Sequence, residues 1–365
     1  MVEASDKAAN GIRWKASVQR YHLDTMSNAL KTSKKMLAGE DIHTGFVRFQ
    51  INERGKIRDI ASVKFAERVA QKATNQYAFM PAVRDTLIYD NSANVKGKGT
   101  SFAISRLKKH LEDHYRKHGS EGYILLSDFK GYFGSIPHDG AKEMLCEYLD
   151  DDALIAFISS QIDHGEGDRG LPLGSEINQT IAAVYPNRID HFMIECGEVE
   201  AYARYNDDFY AIHTSKEHLQ LLLGCVEAFA IERGLTLNAK KTRIVKLSHG
   251  FTFLKCKFSY GKNGRIVIRP IREKITRQRK KMKRQANLVK AGKMTFADAL
   301  ESYNGWRAHI LKMNTHKLVY RMDTLFWELF GAYASSEDPP PEARIAKHIL
   351  EQTPRNPRGF LLPGN

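Results

Sequence analysis

Cysteine is scarce in this chain. Its 365 residues hold four, Cys146, Cys196, Cys225 and Cys256, and no two of them form a C-x-x-C pair. That spacing argues against a zinc knuckle or a disulfide framework and fits a reducing compartment. Long apolar runs are missing as well. None approaches the roughly 20 residues of a membrane span, and Met1 to Arg20 is polar, without the apolar stretch of a secretory signal. The expectation is a soluble, cytoplasmic protein with no membrane partner. There is no internal repeat, and the G-x-x-x-x-G-K-S/T spacing of a Walker loop is absent. Acidic charge is in deficit. Fifty-six Lys and Arg against 42 Asp and Glu leave a net charge of +14, which points to a polyanionic partner, nucleic acid before a membrane surface.

What is present reads as an ordinary folded chain of two or three subdomains, long enough to bury a substantial core. Periodicity predicts a helix over 13–40, then strands over 45–52 and 56–60 joined by Glu53-Arg54-Gly55. Arg54, Lys56 and Arg58 lie close together on that ribbon, which either clasps a triphosphate or is simply a wet face. A helix over 63–77 precedes Asp90 to Thr100, where Lys96 and Lys98 alternate with glycines in a loop able to approach phosphates. A basic helix follows over 101–118. Tyr123 to Asp128 is a short apolar strand ending in a carboxylate, a position that suits a metal ligand and equally a helix cap.

A helical region over 140–162 gives way to a Gly-rich link at 164–170, and a further apolar helix follows Leu171 to Gln179. Between Ala201 and His213, aromatic and apolar residues flank Asn206-Asp207-Asp208, which reads as a β-hairpin with two carboxylates at its tip. Adjacent carboxylates repel unless a cation lies between them, although a solvated Asn-Asp-Asp turn has the same local sequence. A helix over 215–233 and strands over 235–245 and 251–258 come next. Residues 269–284 carry nine basic residues and one acid on a helix, too dense for an ordinary solvated face and suited to a nucleic-acid backbone. A second helical stretch covers 295–330, and the tail from 335 is Pro-rich.

Three carboxylates stand out, Asp128 at a strand end and Asp207 with Asp208 at a hairpin tip. Brought together, they can hold two divalent ions about 4 Å apart, as phosphoryl transfer with two metals requires. Their order in the chain resembles the reverse transcriptases, particularly the bacterial ones. Asp128-Phe129 with Phe133, then Leu173-Gly174, then Tyr205-Asn206-Asp207-Asp208, then Leu237-Asn238 with Lys241-Thr242 follow that family's sequence of motifs over roughly 45–260.

The resemblance implies an α+β right-hand polymerase: an amino-terminal helix and fingers at 1–122, a palm of antiparallel sheet on helices at 123–260, a helical thumb at 261–334 and a tail at 335–365. It implies RNA-directed DNA synthesis with two Mg²⁺ ions, or Mn²⁺ in their place, held by Asp128, Asp207, Asp208 and the carbonyl of Phe129. Lys241 would protonate pyrophosphate, and Phe133 would test the sugar 2′ carbon. Arg54, Lys56 and Arg58 would bind the triphosphate, with Leu173, Gly174 and Gln179 against the nucleotide. Lys255 lies in a segment similar to the primer grip. With Lys96, Lys98, Arg277, Lys280, Lys281 and Arg284, it would contact nucleic acid.

Leu173 and Asn178-Gln179 depart from the Gln and Ser-Pro of many reverse transcriptases. They are closer to the enzymes of diversity-generating retroelements, which implies reduced fidelity, and some defence-associated enzymes also diverge here. Expected partners are an RNA template or non-coding RNA, the DNA product and deoxynucleotides, with an accessory protein or a second copy as further candidates. The alternatives are a bacterial or phage-encoded defence enzyme making untemplated, repetitive or protein-primed DNA, and an RNA-binding, maturase-like module without activity.

Overall fold

A computed structural model describes residues 1–53 and 56–333. Arg54 and the tail from 335 lie outside the described residues, as do the side chains of Lys56 and Arg58. The chain divides into two compact units, Met1–His249 and the remainder from Gly250.

The first unit opens with α1 (Val2–Ala8), α2 (Ala16–Leu23) and α3 (Thr25–Leu37). The helix expected over 13–40 is thus two, because Asp24 leaves helical geometry and its carboxylate accepts from the Ser27 N–H at 3.2 Å, capping the second helix. Strands β1 (Phe46–Glu53) and β2 (Lys56–Val63) pair antiparallel. Helix α4 (Phe65–Thr74) runs through a π turn at Asn75–Phe79 into α5 (Met80–Arg84). The wide turn precedes Pro81, which has no N–H for a regular helical bond.

After α6 (Thr100–His118) come β3 (Tyr123–Asp128), α7 (Tyr132–Ser135), α8 (His138–Tyr148), α9 (Asp152–Asp163), α10 (Glu176–Val184) and α11 (Asn187–Glu195). Next are β4 (Ala201–Tyr205), β5 (Asp208–His213), α12 (Lys216–Glu232) and β6 (Arg243–Lys246). The sheet has the order β4-β5-β3-β6 and is antiparallel. The strand expected over 235–245 is realised only from Arg243. Upstream of it the Asn238 carbonyl accepts from both Lys241 and Thr242 N–H at 2.9 Å, and that turn replaces extended pairing. Ile124, Leu125, Phe209 and Ala211 are fully buried, so the sheet centre packs into one core with Ile177, Ile181, Leu219 and Val226 of the helices. Among the described residues no helix is long and apolar enough to cross a membrane.

The second unit has its own sheet, β7 (Phe251–Phe253), β8 (Cys256–Tyr260) and β9 (Ile266–Pro270), in that order. The strand expected over 251–258 is a hairpin, turning at Leu254 and Lys255 with φ of 45° and 60°, the mirror-image turn that matches strand twist. Helices α13 (Arg272–Lys290), α14 (Phe296–Leu311) and α15 (His316–Phe330) follow. Met282, Ala299, Tyr303, Met322, Phe326 and Phe330 form their core.

Candidate active site

Strand register does what the sequence could not. In the β3–β5 ladder Asp128 lies opposite Asp208, and directly paired antiparallel residues have Cα atoms about 5 Å apart. In the β4–β5 hairpin Tyr205 pairs with Asp208, leaving Asn206-Asp207 as a two-residue turn. Asn206 takes φ 53°, a left-handed conformation that Asn tolerates better than other residues with a side chain. Three acids separated by some eighty positions therefore meet at one end of one sheet.

Asp128 is only 2% exposed. One of its oxygens receives the Lys241 ammonium, while the other, Oδ1, is buried with no hydrogen-bond partner. A buried carboxylate oxygen left without a partner carries a desolvation cost that a bound cation removes. The segment carrying Lys241 is laced to the end of β3. Lys130 N–H donates to the Thr236 carbonyl and Asn238 N–H to the Asp128 carbonyl, both at 2.8 Å. The hydroxyls of Ser127 and Thr242 lie 2.7 Å apart. In this ladder Phe129 stands opposite Leu237, and its own carbonyl makes neither of those bonds. Burial would lower the pKa of Lys241, but its bond to Asp128 and the charges of Asp128, Asp208 and Asp207 raise it above the ordinary lysine value. The ammonium therefore stays charged through neutral pH.

Asp128 and Asp207 line a cleft of about 1120 Å³, and Arg48, Gln50, Asp59 and Ile60 of the β1–β2 hairpin are also among its lining. Phe133, half-buried and edge-on to Tyr132 with ring centroids 5.7 Å apart, lines this cleft together with Leu173 and Lys241. Gln179 lies instead on a smaller adjoining cavity of about 160 Å³, shared with Phe133, Leu173 and Gly174. Gly174 has φ of +117°, and an added Cβ would touch the Ala61 carbonyl at 3.5 Å. Glycine is the residue that fits against the hairpin there.

Sequence reading missed the anchor of the β4–β5 hairpin. Arg204 and Asp190 form an ion pair whose side chains are wholly buried, with a closest approach of 2.6 Å. Arg204 also donates to the Asn206 carbonyl at 3.0 Å and the Ala183 carbonyl at 2.7 Å, while Tyr202 Oη donates to Asp190 at 2.8 Å. All three guanidinium nitrogens are therefore engaged, Nη1 on the turn beside Asp207 and Nε and Nη2 on Asp190 and Ala183. An Arg in a strand otherwise facing the core was the available signal. Asn94 was missed too. Its amide donates to Asn206 Oδ1 at 3.2 Å and the Gln179 carbonyl at 3.0 Å, tying the loop after α5 to the hairpin tip.

Other expected contacts fare unevenly. Lys96 is exposed. The Lys98 ammonium is turned inward, donating to the Tyr89 carbonyl at 2.6 Å between the rings of Tyr89 and Phe102, and burial lowers its pKa. That placement makes it a brace of its own loop, in place of the backbone contact expected of it. In the second unit, Lys255 is exposed at the β7–β8 turn, and Arg277, Lys280, Lys281 and Arg284 are exposed along α13, away from its buried Gln278, Met282 and Gln285.

A family model described as reverse transcriptase (RNA-dependent DNA polymerase) matches residues 21–258. The chain belongs to the reverse transcriptase family. No curated protein matches it. Among solved structures it is similar to apo telomerase from Candida tropicalis truncated from its C-terminal domain, at 15% identity and a TM-score of 0.49. That alignment covers 68% of this chain, which spans 60% of the telomerase chain. Helices and antiparallel sheets in this arrangement are the α+β reverse transcriptase fold, and the family works with divalent metal ions. The acid trio fits such ions: its donors are hard oxygens, and one of them is buried without a partner.

Proposed function

We propose that this reverse transcriptase extends a primer 3′-hydroxyl with deoxynucleotides copied from RNA, at the cleft lined by Asp128 and Asp207 with Asp208 paired beside them. The pairing of Asp128 with Asp208 across β3 and β5, beside Asp207, carries this reading. Asp128, Asp207, Asp208 and the Phe129 carbonyl would hold two Mg²⁺ ions, or Mn²⁺ in their place. When bound, such ions lower the pKa of the attacking hydroxyl and neutralise the triphosphate and leaving pyrophosphate. Lys241 keeps a proton at Nζ beside the trio and serves as its donor to pyrophosphate. Phe133, with its ring on the cleft wall, excludes a ribose 2′-hydroxyl. Arg54, Lys56 and Arg58 neutralise the triphosphate from the facing hairpin. Leu173 offers the nucleotide an apolar contact where many relatives have Gln, which lowers fidelity. Gly174 and Gln179 complete that wall.

The residues at 173–179 support a reading among bacterial enzymes of the diversity-generating or defence-associated kind. Sequencing the co-purifying RNA and the DNA made from it separates templated copying from untemplated or repetitive synthesis. Primer extension tests the central assignment. Asp207→Asn is expected to lower incorporation by about 10²–10³-fold or more while leaving RNA affinity within about twofold. Undiminished synthesis by this variant would remove the catalytic assignment, and a wild type inert with Mg²⁺ and deoxynucleotides would favour an RNA-binding module.

A further inference from the structure

We propose that His114, His118 and Glu200 form a structural zinc site at the end of the sheet opposite the acid trio. His114 and His118 are one turn apart on α6, so their imidazoles share a helix face. Glu200 immediately precedes β4, and its N–H donates to the Ile212 carbonyl at 3.0 Å, fixing its backbone to the sheet. Its two oxygens face the two rings: Oε2 is 2.8 Å from His114 Nδ1 and Oε1 is 3.2 Å from His118 Nε2. Zinc bonds of about 2.0–2.2 Å to nitrogen and oxygen put tetrahedral donor atoms about 3.4 Å apart, so the 3.2 Å separation is close to a ligand spacing and the 2.8 Å one opens by a few tenths of an ångström on binding.

The far side of His114 limits the alternatives. Its Nε2 lies 2.6 Å from the Glu121 carbonyl, an acceptor, so Nε2 carries a proton. A neutral His114 then turns the bare lone pair of Nδ1 toward a carboxylate, and two lone pairs repel at 2.8 Å. Either a second ring proton or a metal ion must lie there. One divalent cation satisfies both nitrogens, and a carbonyl accepting from the other ring N–H is the usual support of a metal-bound histidine.

The seat of His114 is also built. Gly122 has φ of +113°, and a Cβ on it would lie 2.7 Å from His114 Nε2. Two imidazoles with a carboxylate select zinc over magnesium. The segment His114-Tyr115-Arg116-Lys117-His118 lacks the Glu that follows the first His of a hydrolytic H-E-x-x-H helix, so the ion clamps α6 to the sheet and performs no hydrolysis. The β4–β5 hairpin carries Glu200 at its open end and Asp207 at its tip, about 17 Å apart by strand rise.

Metal analysis of the full chain tests this. After equilibration with Zn²⁺ and gel filtration, wild type is expected to retain about one equivalent more zinc than His118→Ala or Glu200→Gln. The wild-type melting temperature should fall on adding a chelator and recover with Zn²⁺, and that of His118→Ala should respond to neither. Magnesium-dependent primer extension by His118→Ala should match wild type. Equal zinc in wild type and both variants, or none in wild type, overturns the proposal. The half-exposed position of His118 guards against a folding failure, and its outcome is independent of the polymerase reading.

Discussion

The β4–β5 and β1–β2 hairpins border the same cleft with the same topology, yet they are held in different ways. The first is buried along nearly its whole length, flanked by β3, and pinned at its turn by Arg204. The second pairs only with itself and leaves Val47, Phe49, Ile51 and Ile57 each more than 40% exposed. Burial along both strands fixes where Asp207 and Asp208 stand. A two-stranded ribbon has marginal stability by itself, and four of its apolar side chains are left to solvent. Two copies of one motif thus differ in how much core each owns.

Breaking the anchored hairpin should give the largest effect after removal of the acids themselves. Arg204→Leu strands the buried Asp190 charge and is expected to cost about 3–5 kcal/mol of stability, measured by urea denaturation. Adding Asp190→Leu should restore most of that stability while primer extension stays impaired, because the turn beside Asp207 has lost its clamp. Full recovery of activity in the double variant would show that burial alone positions the acids.

A smaller effect is expected on the cleft wall. Phe133→Ala should raise the ratio of ribonucleotide to deoxynucleotide incorporation by about 10–100-fold with little change in melting temperature. An unchanged ratio would make Phe133 a core residue only. The smallest effect falls in the second unit. Replacing Arg277, Lys280, Lys281 and Arg284 by Ala should reduce the slope of log affinity against log salt by about 3, read by fluorescence anisotropy on a primer-template. Saturating substrate should restore the rate.

Much of this was legible along the chain. Tyr123 to Asp128 and Ala201 to His213 announced their strands through alternation and aromatic content, and Asn206-Asp207 announced the turn. The stretch 235–245 misled because Leu235 and Leu237 alternate with polar residues like a strand, while Asn238 turns the backbone to accept from Lys241 and Thr242. Arg204 looked like one more basic residue in a basic protein. Its partner Asp190 lies fourteen positions away on a helix, and no local pattern signals which charge is paired inside a core. Lys98 misled in the same way: a lysine between glycines reads as a phosphate contact until two aromatic rings and a carbonyl are found around it.

Sequence alone determined the kinds of chemistry available, because carboxylates, aromatic rings and a dense basic helix are properties of residues and of their spacing. It also determined most elements, since those follow from periodicity of two or 3.6 over short windows. Tertiary structure decided which acids meet, which lysine is spent internally and which arginine holds the turn. Those depend on strand register and burial, which are set by the whole core at once and leave no trace in any one stretch of the chain.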